Sequence, residues 1–250
     1  MGTGRAILRV LVAFVILTTG WLPLAEPAPA ADLQARSRLS YPMADLSDIP
    51  AAAQASHTDA AAADTLAVPD PVAVSADAGT TAILAIDFLQ SNCAPTPSCV
   101  ASLSAVAASL SVARAANVVV VYSVHPGDDN KILPEVAPMP DDPIFVAVPG
   151  DKFFNSNLDD ILKQAGITTL LITGTSSNSG VLYTAAGAIQ RGYTVVVAED
   201  GISAATDLAT SVALWQLLNG PGRNMQNVPL QTKAVTLSRT DLISYTISYK

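Results

Sequence analysis

The feature that most constrains the fold is an alternation, beginning near residue 80, between wholly apolar segments and segments with helical spacing of apolar residues. Six apolar segments have the length of a strand, and they are 81–87, 118–124, 143–148, 168–174, 193–200 and 233–239. Four segments have helical spacing, and they are 100–117, 157–166, 180–192 and 203–220. Strands that are apolar throughout and alternate with helices are typical of a parallel sheet covered on both faces.

Composition supports a single globular domain and excludes two other classes of protein. Half of the 250 residues are hydrophobic and 14% are charged, which suits one large core rather than a disordered chain. The formal net charge is −8 and the sequence contains no cluster of Lys and Arg. Nucleic acid is therefore not expected as a partner.

The N-terminal segment has the pattern of a secretory signal peptide. Arg5 and Arg9 precede the apolar run 10–17, and Ala28–Ala30 forms an A-x-A cleavage site. The run is shorter than the roughly 20 residues that a membrane span needs, although an uncleaved anchor is the alternative. We expect a signal peptide over 1–30 and a secreted or periplasmic protein without membrane contact after cleavage.

An Ala- and Pro-rich segment over 31–78 has no sustained helical or strand period. We interpret it as a linker or pro-segment, followed by the folded domain over 79–250.

The sequence contains two cysteines, Cys93 and Cys99, in the local sequence "CAPTPSC". In an oxidising compartment such a pair is expected to form a small disulfide loop, and a reactive thiol at Cys93 is the alternative.

Polar residues follow the predicted strands, where parallel α/β sheets bind their ligands. They are Asp87, His125, Lys152, the turn 174–180 and Asp200, one after each of the first five strands. A carboxylate at Asp87 needs a partner if it is partly buried, and a pair with Lys152 would support proton transfer. The alternative is that Asp87 caps a loop while Lys152 is solvated.

The fourth strand, its turn and the following helix read "LITGTSSNSGVLYTA" over 171–185. Ser and Asn favour helix N-caps, and the same free N–H groups can bind an anion or an oxyanion. The two interpretations are compatible. We therefore assign the polar residues of this turn to substrate binding, and they are Thr175, Ser176, Ser177, Asn178 and Ser179.

Three segments resemble the isochorismatase-like hydrolase superfamily over roughly 79–245: "TTAILAIDFLQ", "GDKF" and "GITTLLITGTSSNSGVLYTAAGAIQRGYTVVVAEDGIS". The resemblance implies a three-layer α/β/α fold with a mainly parallel, six-stranded, Rossmann-like sheet. Most members cleave amides with an Asp–Lys–Cys triad, which places the aspartate on Asp87 and the lysine on Lys152. The cysteine position, six residues after Gly174, falls on Gly180, so the nucleophile position is vacant.

A glycine at the cysteine position, such as Gly180, also occurs elsewhere in the superfamily. Isochorismatases lack the cysteine and can carry glycine there, because they cleave a vinyl ether through protonation of the vinyl carbon and attack by water. The resemblance thus implies a hydrolase of a small molecule that uses Asp87 and Lys152 and no cofactor. The segment after Lys152 is short, and no arginine pocket for a dicarboxylate is evident, which argues against isochorismate itself.

Metal binding in nicotinamidase-type members of the superfamily uses an Asp-x-His pair and a second histidine. The present sequence keeps His125, but it has Ser123 in the aspartate position and no later histidine. A lone histidine is a poor metal site, so we predict none, and we place His125 at the pocket as a substrate-contacting residue.

Two other functions remain open on sequence alone. Ser177 or Ser179 could serve as the nucleophile of an amidase or esterase, with Asp87 as a base, although a hydroxyl needs a stronger base than an ordinary carboxylate. Alternatively, the fold could bind a ligand without catalysis. The superfamily often forms homo-oligomers, for which the Ala-rich helices at 100–117 and 180–192 offer flat faces.

Overall fold

A computed structural model describes residues 66–127 and 131–247. All of them belong to one compact unit that runs from Ala62 to Lys250. The expected signal peptide over 1–30 and the expected linker as far as residue 65 lie outside the described residues.

The unit contains eight strands and five α-helices among the described residues. The strands are β1 (Val74–Asp77), β2 (Thr81–Ile86), β3 (Val119–Val124), β4 (Ile144–Val146), β5 (Thr169–Thr175), β6 (Thr194–Ser203), β7 (Val235–Ser238) and β8 (Ile243–Thr246). The helices are α1 (Gln90–Cys93), α2 (Pro97–Ala115), α3 (Leu158–Gln164), α4 (Leu182–Gln190) and α5 (Asp207–Asn219). All six predicted strands and all four predicted helices are present.

The main sheet has six strands in the order β4-β3-β2-β5-β6-β7, and every neighbouring pair is parallel. This confirms the predicted sheet. The chain progresses from β2 towards β4 on one side and from β5 towards β7 on the other. The change of direction leaves a crevice at the carboxyl ends of β2 and β5, which is where ligands bind in open α/β sheets.

Strand side chains alternate between two apolar layers, which explains why the strands are apolar throughout. One layer lies between the sheet and helices α3, α4 and α5, and its strand residues include Leu84, Ile86, Leu170, Ile172 and Val197. The other lies beneath α2 and the β1–β8 pair, and its strand residues include Ile83, Ala85, Leu171, Val196 and Ala198. The three-layer α/β/α prediction is therefore confirmed.

Helix α2 is long and apolar enough to cross a membrane by length and composition alone. In this fold its buried side chains, including Leu103, Val106 and Leu110, instead form part of the second apolar layer. The apolar spacing read from the sequence is thus explained by packing within the domain.

The structure differs from the sequence-based boundary at residue 78. Strand β1 lies within the segment predicted to be a linker, and it pairs in parallel with β8 at the C-terminal end of the domain. Val74 and Ala76 are buried while Ser75 is exposed, so the period is that of a strand. Four residues in an Ala-rich context are too few for this period to stand out, and the folded domain begins before Val74.

Strand β6 also extends further than predicted, past Asp200 to Ser203. Its pairing with β5 shifts register between Ile172 and Gly174 and continues as far as Thr175 and Ser203. This bulge brings the end of β6 alongside the polar turn that follows β5.

Candidate active site

Asp87 lies directly after β2 and is only 3% exposed. The β2–β3 register pairs Ile86 with Ser123, which places the Ser123 hydroxyl beside the aspartate. Ser123 Oγ donates to Asp87 Oδ1 at 2.6 Å and accepts from the Asp87 backbone N–H at 3.1 Å. The backbone at Asp87 has a φ of 51°, so it is held in the left-handed region by this environment.

Lys152 is completely buried, and its ammonium forms an ion pair with Asp87 at 2.6 Å between Nζ and Oδ2. Nζ also donates to the Val148 carbonyl at 3.2 Å. A buried charge is tolerated only when it is paired and hydrogen-bonded, and both conditions are met here. The structure therefore brings together two residues that are separated by more than sixty positions in the sequence.

Helix α4 positions the segment that carries Lys152. The Lys152 backbone N–H donates to Thr184 Oγ1 at 3.0 Å, and Arg191 stacks over the Phe153 ring at 4.5 Å. A Cβ at Gly187 would lie 2.7 Å from the Asp151 carboxylate, so a glycine allows this close packing. Thr184 and Gly187 are supporting residues that the sequence analysis did not single out, although Thr184 is part of the "V-x-x-T-A" motif.

A cavity of about 250 Å³ opens at the carboxyl ends of β2 and β5. Its lining residues are Asp87, Asn92, Thr96, His125, Pro149, Gly150, Thr175, Ser176, Ser179, Gly180 and Ala205. The cavity thus contains six of the residues predicted for the site, and Lys152 lies directly beneath Asp87. The location agrees with the crevice expected from the change in strand order.

His125 stands on the wall of the cavity and contacts Asp87. Its Nε2 lies 2.8 Å from Asp87 Oδ2, and its side chain is 30% exposed. Ser123 and His125 are two residues apart at the end of β3, so both can face Asp87. Ser123 contacts one carboxylate oxygen, while His125 and Lys152 share the other.

Gly174 and Gly180 shape the turn after β5. A Cβ at Gly174 would lie 2.2 Å from the Ile86 carbonyl oxygen, and its φ is 138°, so only glycine fits there. A Cβ at Gly180 would lie 3.1 Å from Ile86 Cγ2 and 3.7 Å from Lys152 Cε. A side chain at position 180 would therefore project next to the buried ion pair, and glycine leaves that space to the cavity.

The polar residues of the turn divide into two groups. Thr175, Ser176 and Ser179 line the cavity. Ser177 is instead fully buried, with its hydroxyl 3.2 Å from Thr210 Oγ1 on α5. Asn178 is exposed and accepts a hydrogen bond from Ser176 Oγ at 2.5 Å. Ser177 and Asn178 therefore do not line the cavity, contrary to the sequence-based assignment.

The predicted side-chain cap of this helix is also wrong. Neither the turn nor α4 has a side-chain cap hydrogen bond. The turn is wound as a π-helix over Ser177–Val181, and the Val181 N–H donates to the Ser176 carbonyl at 3.1 Å. Backbone bonds of this kind satisfy N–H groups without the serine hydroxyls.

A disulfide lies next to the part of the cavity wall that follows Asp87 in the sequence. Cys93 and Cys99 are bonded to each other and are fully buried, as predicted, and neither is available as a free thiol. Thr96 lies within the disulfide loop and Asn92 directly precedes it, and both residues line the cavity. Asn92 Nδ2 donates to the Asp87 carbonyl at 3.3 Å, and Thr96 Oγ1 donates to the Asn92 carbonyl at 2.9 Å. Sequence analysis missed both residues, because their only signal is proximity to Asp87 and the cysteines.

Asp200, the remaining acid noted at a strand end, is not among the residues that line this cavity. Its carboxylate accepts hydrogen bonds from the Thr240 N–H and hydroxyl, both at 2.8 Å. Within the described residues, no three His, Cys, Asp or Glu side chains are grouped closely enough to hold a metal ion.

Comparison with solved structures shows a shared fold. An isochorismatase family protein from Burkholderia thailandensis superposes with a TM-score of 0.57 at 21% identity, covering 68% of this chain and 96% of that chain. A cysteine hydrolase from Pseudomonas syringae gives 0.58 at 19% identity, with coverages of 70% and 93%. N-carbamoylsarcosine amidase from Thermoplasma acidophilum gives 0.53 at 22% identity, with coverages of 65% and 97%.

No curated protein matches the chain in sequence. The family model of the isochorismatase domain matches residues 81–227, which contain every strand of the main sheet except β7 and all the residues that line the cavity. This match covers more than half of the 250 residues, and the chain therefore belongs to the isochorismatase family.

Proposed function

We propose that the chain is a secreted hydrolase that cleaves a small molecule through acid–base chemistry of Asp87 and Lys152 without a cysteine nucleophile. The observation that carries this proposal is the buried Asp87–Lys152 pair beneath a cavity whose wall includes Gly180. The only two cysteines in the sequence are bonded to each other. A thiolate therefore cannot supply the nucleophile, and water takes that role.

The geometry of the ion pair suits proton transfer. Across a contact of 2.6 Å the proton can lie on Lys152 Nζ or on Asp87 Oδ2. In the second arrangement Asp87 is a carboxylic acid that faces the cavity and can protonate a substrate carbon or oxygen. This is the chemistry needed to cleave a vinyl ether, in which protonation of the vinyl carbon precedes attack by water.

The cavity wall favours a small polar substrate that does not carry two carboxylates. Its polar lining consists of hydroxyl and amide side chains together with Asp87 and His125, and no arginine is among the described lining residues. A dicarboxylate would be bound best by guanidinium groups. We therefore favour a vinyl ether with at most one carboxylate.

Secretion is supported by the disulfide between Cys93 and Cys99. Such bonds persist in oxidising compartments and are rare in the cytosol. The signal-like pattern over 1–30 is consistent with export.

A serine-dependent amidase or esterase is the second candidate, and one observation favours it. Ser179 lines the cavity next to Gly180, whereas Ser177 is buried with its hydroxyl next to Thr210. Labelling with a serine-reactive phosphonate, followed by peptide mapping, tests this function. An adduct on Ser179 would favour it, and absence of an adduct would count against it.

The proposed function is tested by incubating the purified protein with three classes of compound and following products by NMR. The panel contains the vinyl ethers α-methoxyacrylate and isochorismate, the amide nicotinamide, and N-carbamoylsarcosine. We expect cleavage of a vinyl ether by the wild type, with α-methoxyacrylate preferred over isochorismate, and loss of cleavage in Asp87→Asn. Full activity in that variant would contradict the proposal. A panel compound that raises the melting temperature without being cleaved would favour a binding protein.

A further inference from the structure

Asp87 lines the cavity, but the ion pair to which it belongs is almost entirely buried. Lys152 is 0% exposed, Asp87 is 3% exposed and Ser123 is 1% exposed. An acid–base catalyst must nevertheless exchange protons with substrate and water in every turnover. Asp87 can supply the proton that goes to the substrate, so a second group in the cavity has to take up the proton released by the attacking water.

His125 meets this requirement among the described residues. Among the described residues that line the cavity, it is the only titratable side chain other than Asp87. Its Nε2 is 2.8 Å from Asp87 Oδ2, while 30% of the side chain remains exposed. Once Asp87 has given its proton to the substrate it is a carboxylate that can only accept, so a neutral imidazole would donate its Nε2 proton to Asp87 and present an unprotonated Nδ1.

We propose that His125 is a second catalytic residue, which accepts a proton from the attacking water and returns it to the leaving alcohol. The inference rests on the proposed function and adds a residue to it. His125 thus occupies the base position of an Asp–His pair, with water in place of the missing nucleophile.

The proton transfers balance over one cleavage. The Asp87 carboxylic acid gives its proton to the vinyl carbon, and the π electrons form the new C–H bond. Water adds to the resulting oxocarbenium carbon and gives one proton to His125 Nδ1. The bond between that carbon and the leaving oxygen then breaks, with its electron pair going to the oxygen, and the imidazolium supplies the proton. The remaining hydroxyl proton returns to Asp87 as the product carbonyl forms.

The kinetic test compares His125→Gln and His125→Ala with the wild type, using α-methoxyacrylate as substrate. Glutamine keeps a donor for Asp87 but cannot relay a proton, so we expect turnover to fall about 100-fold with little change in KM or melting temperature. Added imidazole should restore part of the turnover of His125→Ala and have no effect on His125→Gln. A His125→Gln variant within about twofold of the wild type would overturn the proposal.

A second measurement needs no substrate. The sequence has two histidines, His57 and His125, so long-range proton–nitrogen NMR spectra of the His57→Gln variant report His125 alone. In alkaline solution we expect the tautomer that is protonated at Nε2, and Asp87→Ala should remove this preference. The opposite tautomer, protonated at Nδ1, would overturn the proposed role.

The outcomes separate this inference from the proposed function. If Asp87→Asn retains activity or no vinyl ether is cleaved, the proposed function fails, and the NMR measurement still decides whether His125 has the tautomer required here. If Asp87→Asn is inactive but His125→Gln is fully active, only the role of His125 fails. Variant His57→Gln is the matched control and should keep wild-type turnover.

Discussion

Asp87 and Asp200 are both acids near the carboxyl ends of apolar strands, yet the structure gives them different surroundings. Asp87 is 3% exposed and contacts Lys152, which follows β4, and Ser123 and His125 at the end of β3. Asp200 receives two hydrogen bonds from Thr240 and has Arg239 at 3.7 Å. Asp87 is thus surrounded by groups that can transfer protons, whereas Asp200 stabilises a turn.

The position of each strand in the sheet explains this difference. Asp87 follows β2 at the point where the strand order changes direction, so the loops on either side diverge and leave a cavity. Asp200 lies beyond the last β6–β7 pair, Ala198 with Ser238, where both strands continue the same progression. The loop after β7 closes over Asp200 and uses it as a hydrogen-bond acceptor.

The largest expected effect is a difference in turnover between the Asp87→Asn and Asp200→Asn variants. Asp87→Asn should reduce turnover by at least about 100-fold, because it removes the proposed acid. Asp200→Asn should leave turnover within about twofold of the wild type, because its side chain does not line the cavity. Steady-state kinetics on the same vinyl ether would measure both. Equal losses in the two variants would break the comparison.

The second effect is on stability. Lys152→Met leaves the Asp87 carboxylate buried without its cation, which should cost about 3–5 kcal/mol in the free energy of unfolding. The double variant Asp87→Asn/Lys152→Met removes both charges and should be more stable than Lys152→Met by at least about 1 kcal/mol, while remaining inactive. Urea denaturation measures these values. A double variant no more stable than the single variant would show that the pair is not energetically coupled.

The disulfide provides a smaller test, since it supports only the wall beside Asp87. Replacing both Cys93 and Cys99 by Ser should lower the free energy of unfolding by about 2 kcal/mol, as expected for a short closed loop. Because Asn92 and Thr96 belong to this wall, KM should rise as well. Ser98→Ala is a suitable control, because it removes only the hydrogen bond from Ser98 Oγ to the Ala204 carbonyl. Unchanged stability and KM in the double serine variant would argue against this support.

The smallest effect concerns Glu199, the neighbour of Asp200. Burial raises the pKa of its carboxyl above the ordinary value; Arg239 offsets this, while Asp200 and Asp70 add to it. Ionisation of Glu199 at neutral pH therefore opposes folding, so Glu199→Gln should increase stability by less than about 1 kcal/mol. The gain should disappear in acid, where the carboxyl is protonated in both the folded and unfolded chain. Melting temperatures at the two pH values check the sign, and a loss of stability at neutral pH would contradict it.

Much of the fold could be predicted from sequence because each main strand is apolar throughout and each long helix has regular spacing. The β1–β8 pair could not, since four-residue strands give too little periodic signal. The sequence predicts an end of β6 at Asp200, three residues too early, because a charged residue inside a strand resembles a strand end.

The site was less predictable than the fold, although the strand ends indicated its main residues. Asp87, Lys152 and His125 each follow an apolar strand, and parallel strands bring such residues to one edge. The orientation of individual turn residues could not be inferred in this way. The π-type winding turns Ser177 towards Thr210 and leaves Asn178 exposed, and no pattern in the sequence indicates that winding.

The central claim is that Asp87 delivers a proton to the substrate carbon. It is tested most directly by comparing cleavage of α-methoxyacrylate in light and heavy water for the wild type and Asp87→Asn. We predict that the wild type is slower in heavy water, because Asp87 and His125 transfer protons during turnover, and that Asp87→Asn gives no cleavage above background. Equal wild-type rates in the two solvents, or undiminished cleavage by Asp87→Asn, would contradict the account.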